Sequence, residues 1–276
     1  MTSPVWLITG TSSGFGRELA QAALSRGDRV VATARRPEAL ADLVASAPDR
    51  ALAVALDVTR QDQIDAAVAA ARERFGRIDV LVNNAGHGSV GAIEEIEPAH
   101  LRELMEVMFF APVALTKAVL PHMRERGSGA IVQMSSMGGQ LSPPGFGGYC
   151  SAKWALEAAS EALAAEVGPL GIRVLIVEPG SFRTEFGGAR LHESPELPAY
   201  ADTAGRNRAY ITGVDGIQPG DPRKAAQAIL EVLDAPAPPL RLALGEDAVD
   251  ALGGAFVARR AELDAWAHVS RAAVFS

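Results

Sequence analysis

Tyr149 and Lys153 stand four residues apart in the run YCSAK, and Ser136 lies thirteen residues ahead of the tyrosine. Residues four apart on a helix share a face, so a phenol and an ammonium can meet there. A phenol with an ordinary pKa near ~10 is a poor base at neutral pH. A neighbouring cation favours its phenolate. A serine hydroxyl at an adjacent strand end can donate to a developing alkoxide. Together the three residue types fit proton transfer to or from a substrate oxygen. A Tyr-x3-Lys pair alone is more often a solvated helix face. The serine and a glycine-rich turn far upstream tip the reading toward chemistry.

That turn is TGTSSGFG, residues 9–16, with Ser12, Ser13 and Phe15 set among Gly10, Gly14 and Gly16. It falls between a first apolar run, Val5–Thr9, and a helical pattern over Arg17–Arg26. Glycines in such a turn let the backbone bend sharply and approach a pyrophosphate, which the helix N-terminus then stabilises. The spacing is Gly-x3-Gly-x-Gly, not the G-x-G-x-x-G of the dinucleotide fingerprint.

The elements that must position these residues alternate. Strand-like runs at Val5–Thr9, Arg29–Ala34, Ala51–Leu56, Val80–Val82, Ala130–Met134 and Arg173–Val177 are separated by helical patterns. The helices are expected near Pro37–Ala45, over Gln61–Phe75, over His100–Arg126 with a break near Pro112, and over Tyr149–Val167. Alternation of this kind predicts an α/β fold, a single-domain, Rossmann-like, doubly wound parallel sheet with helices on both faces. Ligands of such sheets sit beyond the carboxyl ends of the strands. Residues 181–215 have weak periodicity and read as a substrate lid with one or two short helices. A helix at Arg223–Leu233, a strand at Leu240–Leu244 and a C-terminal helix and tail over 245–276 complete one domain.

The chain of 276 residues carries a net charge of −7 with no basic block, which argues against nucleic acid as a partner. Its N-terminus has no basic n-region and only a short apolar run, so neither a signal peptide nor a membrane span is expected there. The single cysteine, Cys150, excludes an intrachain disulfide and fits a reducing, cytoplasmic compartment.

In these motifs the sequence resembles the short-chain dehydrogenase/reductase family. TGTSSGFG at 9–16, LDVT at 56–59, NNAG at 83–86, Ser136, YCSAK at 149–153 and PGSFRT at 179–184 all agree in order and spacing. The resemblance implies hydride transfer between a nicotinamide dinucleotide and a carbonyl or alcohol. It makes Ser136 the donor to the substrate oxygen, Tyr149 the acid or base, and Lys153 the residue that binds the nicotinamide ribose and lowers the tyrosine pKa. It places Gly10, Ser12, Ser13, Gly14, Phe15 and Gly16 at the cofactor. Asp57, with Val58, falls at the adenine, and Asn83, Ala85 and Gly86 border the adenine ribose. Pro179, Gly180, Phe182 and Thr184 fall at the nicotinamide side. No metal is implied.

Cofactor choice in such folds is set where the second strand ends. Relatives that prefer NAD often carry aspartate at the position of Ala34, and here Arg35 and Arg36 follow. A guanidinium can hold a phosphate through a fork of donors, so NADP is expected, with NADPH preferred over NADH. Many NADP-preferring relatives add a basic residue just before the middle glycine, where this chain has Ser13. Relatives also carry an asparagine in the long central helix, where this chain reads VMFFA with Met108 in its place. Two outcomes stay open: an active enzyme with its core trio intact, or a non-catalytic or weakly active NADP-binding homologue.

The substrate wall is expected at Gly138, Leu141, Phe146 and Phe186, with His87, Phe182, Leu191 and Tyr200 as further candidates. Mostly apolar lining suggests a hydrophobic ketone or aldehyde, or the matching secondary alcohol. Reduction of a carbonyl and oxidation of a secondary alcohol both remain open. Relatives assemble through the two long central helices, so a homodimer or homotetramer is expected, with 115–120 and 156–163 as its face.

Overall fold

Short apolar runs closed by a glycine or a polar turn become strands whose side chains are buried on both faces, as parallel pairing requires. The computed structural model describes residues 3–275. In chain order the strands are β1 Val5–Ile8, β2 Arg29–Ala34, β3 Ala51–Ala55, β4 Val80–Asn83, β5 Gly88–Val90, β6 Gly129–Met134, β7 Ile172–Pro179, β8 Leu191–Glu193 and β9 Arg241–Leu244. The helices are α1 Gly14–Ser25, α2 Ala41–Ser46, α3 Gln61–Phe75, α4 Pro98–Met105, α5 Ala111–Arg126, α6 Gly147–Val167, α7 Arg206–Gly213, α8 Pro222–Asp234 and α9 Glu246–Arg271.

Seven strands form one parallel sheet in the order β3-β2-β1-β4-β6-β7-β9. The chain winds outward from β1 to β3, then crosses back so that β4 pairs on the other side of β1, with Ile8 opposite Val82. The turns after β1 and β4 therefore part at a switch point, the crevice where doubly wound sheets take their ligands. On one face Leu19, Ala20, Ala23 and Leu24 of α1 share a core with Ala226, Ile229 and Leu233 of α8. On the other, Ile64, Val68 and Ala71 of α3 pack with Leu115, Val119 and Met123 of α5.

Three local features differ from the sequence reading. The helix expected near Pro37–Ala45 splits into a tight turn, Pro37–Leu40, and α2. The break expected near Pro112 is a wide π turn, Glu106–Phe110, just before it. Pro112 itself lies inside the continuous helix Pro98–Arg126, two residues past the π turn that makes room for its missing N–H. Leu115 and Leu156 point into the core, at 1% exposure each, and so cannot form an outer face. The large exposed apolar residues of the central helices are Leu101, Phe110 and Trp154.

The stretch 181–215, expected as a lid, is tied to the body by a small parallel pair that no sequence pattern announced. β5 and β8 align Gly88 with Leu191 and Val90 with Glu193. A Cβ at Gly91 would collide with the Ser194 side chain at 2.5 Å, so only glycine lets the lid strand approach this closely. Beyond it, α9 packs through Ala248 and Leu252 and is otherwise largely exposed. Its Arg259 lies over the Trp154 ring, 4.9 Å from the centroid.

Candidate active site

β6 ends at Met134, and the chain turns out of the sheet at the two serines. Ser136 is fixed by accepting a hydrogen bond from the Gly138 amide at 3.0 Å. α6 begins at Gly147 and carries Tyr149 and Lys153 on one face, as their spacing demands. Both are buried, at 8% and 5% exposure. The Lys153 ammonium lies 5.7 Å from the centre of the Tyr149 ring and donates to the Met134 carbonyl at 2.7 Å. Thus the strand end holds both the serine and the lysine, and the helix supplies the phenol between them. A Cβ at Gly138 would stand 3.0 Å from Cys150 Sγ and 3.4 Å from Tyr149 Cε1, which keeps that position small.

Burial pushes the Tyr149 phenol well above its ordinary pKa, against the nearby Ser136 hydroxyl, which favours the phenolate. Burial also brings the Lys153 ammonium down to about 8, opposed by the charge of Glu157 one turn further on. Cys150 is raised to about 11 by burial, which leaves it an inert thiol at neutral pH.

Behind the lysine lies a charged group that the sequence reading missed. Glu157 accepts from Ser135 Oγ at 2.6 Å and meets Arg241 Nε at 3.3 Å. The same guanidinium reaches Glu178 at 3.6 Å, and Gln140 donates to Glu178 at 2.8 Å. Burial and the neighbouring Glu178 raise the Glu157 carboxyl above its ordinary range. Only Gly139 can occupy its position, because a Cβ there would overlap the Glu157 carboxylate.

The glycine-rich turn fits a dinucleotide. Gly10 and Gly14 adopt φ of 69° and 57°, conformations that L side chains avoid. A Cβ at Gly10 would press on Ala85 at 3.1 Å, and one at Gly16 would overlap the Asn84 amide. Asn84 locks the two turns of the crevice together by donating to the Thr9 carbonyl at 2.8 Å and the Gly10 carbonyl at 3.1 Å. α1 has no carboxylate in its first turn and no side-chain cap from Ser13. Its first amides are therefore free to bind an anion.

A cavity of about 310 Å³ joins this turn to the trio. Among the sequence candidates it is lined by Gly10, Ser13, Gly14, Phe15, Ala85 and Gly86 on one side. Ser136, Gly138, Leu141, Phe146, Tyr149 and Lys153 form another wall, and Pro179, Gly180, Phe182, Thr184 and Phe186 a third, with His87 also present. Phe186 meets Tyr149 edge-on at 5.2 Å between ring centres. Ser12, Gly16, Arg35, Arg36, Asp57, Val58, Leu191 and Tyr200 lie off this wall. Tyr200 instead donates to Glu94. Asp57 turns onto Thr59, accepting from its amide at 3.0 Å and its hydroxyl at 2.8 Å. Asn83 is also off the wall: its amide donates to Gln133 at 2.9 Å inside the sheet, and Asn84 faces the cavity.

Asn84, Asn207, Tyr210, Ile211 and Gln218 are lining residues that sequence reasoning missed. The run NNAG contained the signal for Asn84, whereas α7 had no readable motif. Met108 lines the cavity too. It is 1% exposed, its sulfur stands 3.4 Å from where a Cβ on Gly86 would lie, and it packs with Leu104, Tyr149, Cys150 and Ala152.

The short chain dehydrogenase family profile matches residues 4–194. A short-chain dehydrogenase structure from Streptomyces avermitilis is 56% identical, with a TM-score of 0.95 over 99% of this chain and 100% of that one. Oxidoreductase BOA17 of Botryotinia fuckeliana is 40% identical over 97% of this chain and 98% of its own length. A Burkholderia cenocepacia short chain dehydrogenase in complex with NADP is 26% identical, with a TM-score of 0.75 over 95% of this chain and 96% of that one. Another solved relative is complexed with NADH. The profile covers most of the sheet and the full-length relatives cover the rest, so the chain belongs to the short chain dehydrogenase family.

Proposed function

We propose that the chain is an NADP-dependent oxidoreductase that interconverts a hydrophobic ketone or aldehyde and the corresponding alcohol. One observation carries the reading: a buried phenol, with Ser136 and the Lys153 ammonium beside it, opens onto an apolar cavity continuous with the glycine-rich turn. A bound nicotinamide dinucleotide supplies or accepts the hydride. Tyr149 Oη gives its proton to the substrate oxygen, or takes it in the oxidative direction. Ser136 Oγ donates a hydrogen bond to the same oxygen. Lys153 stabilises the phenolate left behind and binds the nicotinamide ribose. Leu141, Phe146 and Phe186 exclude water and favour an apolar substrate.

NADP is proposed over NAD because Arg35 and Arg36 stand exposed past the end of β2, with no acidic residue at Ala34. Arg35 also helps hold Asp57 below the usual carboxylate range. There burial, which acts the other way, is outweighed by the Thr59 amide and hydroxyl. A homodimer or homotetramer is proposed on the exposed Leu101, Phe110 and Trp154, and light scattering tests it. A cytoplasmic setting is proposed on the single buried thiol.

The deciding experiment is deuteride transfer from labelled NADPH across a panel of apolar ketones and aldehydes. Label in the product alcohol, lost in Tyr149→Phe, is expected. A second reading is favoured by Met108, which fills the asparagine position with a side chain that neither donates nor accepts strongly. On that reading the chain binds NADP and transfers nothing, and binding without any label in product would establish it.

A further inference from the structure

The segment after Thr184 lies across the glycine-rich turn. Glu185 Oε2 accepts a hydrogen bond from the Ser13 hydroxyl at 2.9 Å and from Arg190 Nε at 2.8 Å. Arg190 Nη2 also donates to Ser12 Oγ at 3.0 Å. Both charged side chains line the cavity and are partly exposed, at 50% for Glu185 and 37% for Arg190. An exposed ion pair of this kind adds little to stability, so its position is the informative part. Ser13 precedes α1, whose first turn has no acid and no side-chain cap of its own. The carboxylate thus rests where the helix and the turn favour an anion.

We propose that Glu185 is a placeholder for the pyrophosphate of the dinucleotide, and that Arg190 passes from its carboxylate to the diphosphate when the nucleotide enters. The inference rests on the dinucleotide reading above but not on the choice between NADP and NAD, which share the pyrophosphate. A carboxylate and a phosphate cannot both hold the Ser13 hydroxyl without repulsion. Nucleotide entry therefore swings Glu185 aside and leaves Arg190 with a stronger, doubly charged partner. Glu185 directly precedes Phe186, whose ring packs on Tyr149 at 5.2 Å. Thr184, on the other side, lies against the start of α1, 3.5 Å from where a Cβ on Gly14 would stand. Displacement of the carboxylate is thereby passed to the substrate wall. Loading of cofactor resets the lid before substrate arrives.

The test is calorimetric titration of the full chain and of Glu185→Gln, Glu185→Ala and Arg190→Gln with NADP+, NAD+ and adenosine 2′-monophosphate. The last probe has no pyrophosphate. Both Glu185 variants are expected to bind the two dinucleotides more tightly by roughly fivefold, the scale of one relieved charge contact near water. Arg190→Gln should bind both more weakly, on the order of tenfold, as for loss of one charge-assisted hydrogen bond. Adenosine 2′-monophosphate should bind all four proteins alike. Unchanged or weaker dinucleotide binding by the Glu185 variants would overturn the proposal and make the carboxylate a mere anchor for Arg190. Equal binding by Arg190→Gln overturns it as well. Failure of the unmodified chain to bind either dinucleotide removes the parent reading and this one with it, whereas equal binding of NAD+ and NADP+ removes only the cofactor preference.

Discussion

At the scale of residues, the electrostatics of Tyr149 and Lys153 set a direction in pH. Burial keeps Tyr149 a phenol at neutral pH, which suits it to give a proton to a carbonyl oxygen. The phenolate then left needs the Lys153 ammonium. Burial has brought that group to about 8, with Glu157 opposing. As pH rises through about 8, Lys153 loses its charge and the phenolate loses its partner. Reductive kcat at saturating NADPH is therefore expected to be level below that point and to fall above it. A profile flat to pH 10 would exclude Lys153 as the stabilising cation. Met108 yields a second prediction. It is enclosed by Leu104, Tyr149, Cys150 and Ala152, and Lys153 already has its carbonyl partner on β6. Met108→Asn buries an amide in an apolar niche, at a cost of about 1–3 kcal/mol if it stays unpaired. The expected outcome is a lower melting temperature with no gain in turnover. A tenfold rise in kcat would show that the missing asparagine limits the rate.

At the scale of elements, the central sheet and the trio could be read from the sequence because their signals are local. A buried strand is a short apolar run, a turn is a glycine, and Tyr149 and Lys153 are one helical turn apart. What could not be read is held by contacts between distant segments. Glu157 acquires its partners from Arg241, 84 positions away in sequence. The lid is anchored by Arg208, 6% exposed, which donates to Glu95 at 3.0 Å and to the Ser194 carbonyl at 3.0 Å. Glu95 in turn accepts from the Ala92 amide at 2.7 Å and the Leu197 amide at 2.8 Å. Neither residue sits in a pattern that marks it, since a lone arginine in a polar stretch is usually solvated. Removing one partner of a buried pair strands the other, at about 3–5 kcal/mol. Here that cost falls on the lid rather than on the sheet. Arg208→Met is expected to open 185–215 to limited proteolysis and to raise KM for the carbonyl substrate severalfold. Affinity for NADP+ should change less than KM, because the segment meets the glycine-rich turn through Glu185 and Arg190, whose release acts on the dinucleotide in opposite directions. Equal loss of nucleotide and substrate affinity would mean that the lid and the cofactor turn unfold together.

At the scale of the whole molecule, the crevice is assembled from both halves of the sheet. Gly10 and Gly14 follow β1, Ala85 follows β4, Ser136 follows β6, and Gly180 follows β7. A ligand that spans them binds only the folded arrangement, so its binding energy adds to the stability of the entire domain. NADP+ at a hundred times its Kd should contribute about 2.7 kcal/mol. For a chain of this size the melting temperature should rise by roughly 5–10 °C, taking about 2–4 °C per kcal/mol. The same measurement reads the role of Arg35, which stands exposed beyond β2 and away from the chemistry. If its guanidinium holds the 2′-phosphate, NADP+ shifts the transition further than NAD+ at equal concentration. Arg35→Ala should then lose that difference while keeping the shift common to both nucleotides. The common shift comes from the glycine-rich turn, which the substitution does not touch. An NAD+ shift as large as that of NADP+ in the unmodified chain would mean that the end of β2 does not select the cofactor. The arginine would then be a solvated charge on the rim of a site that takes either dinucleotide.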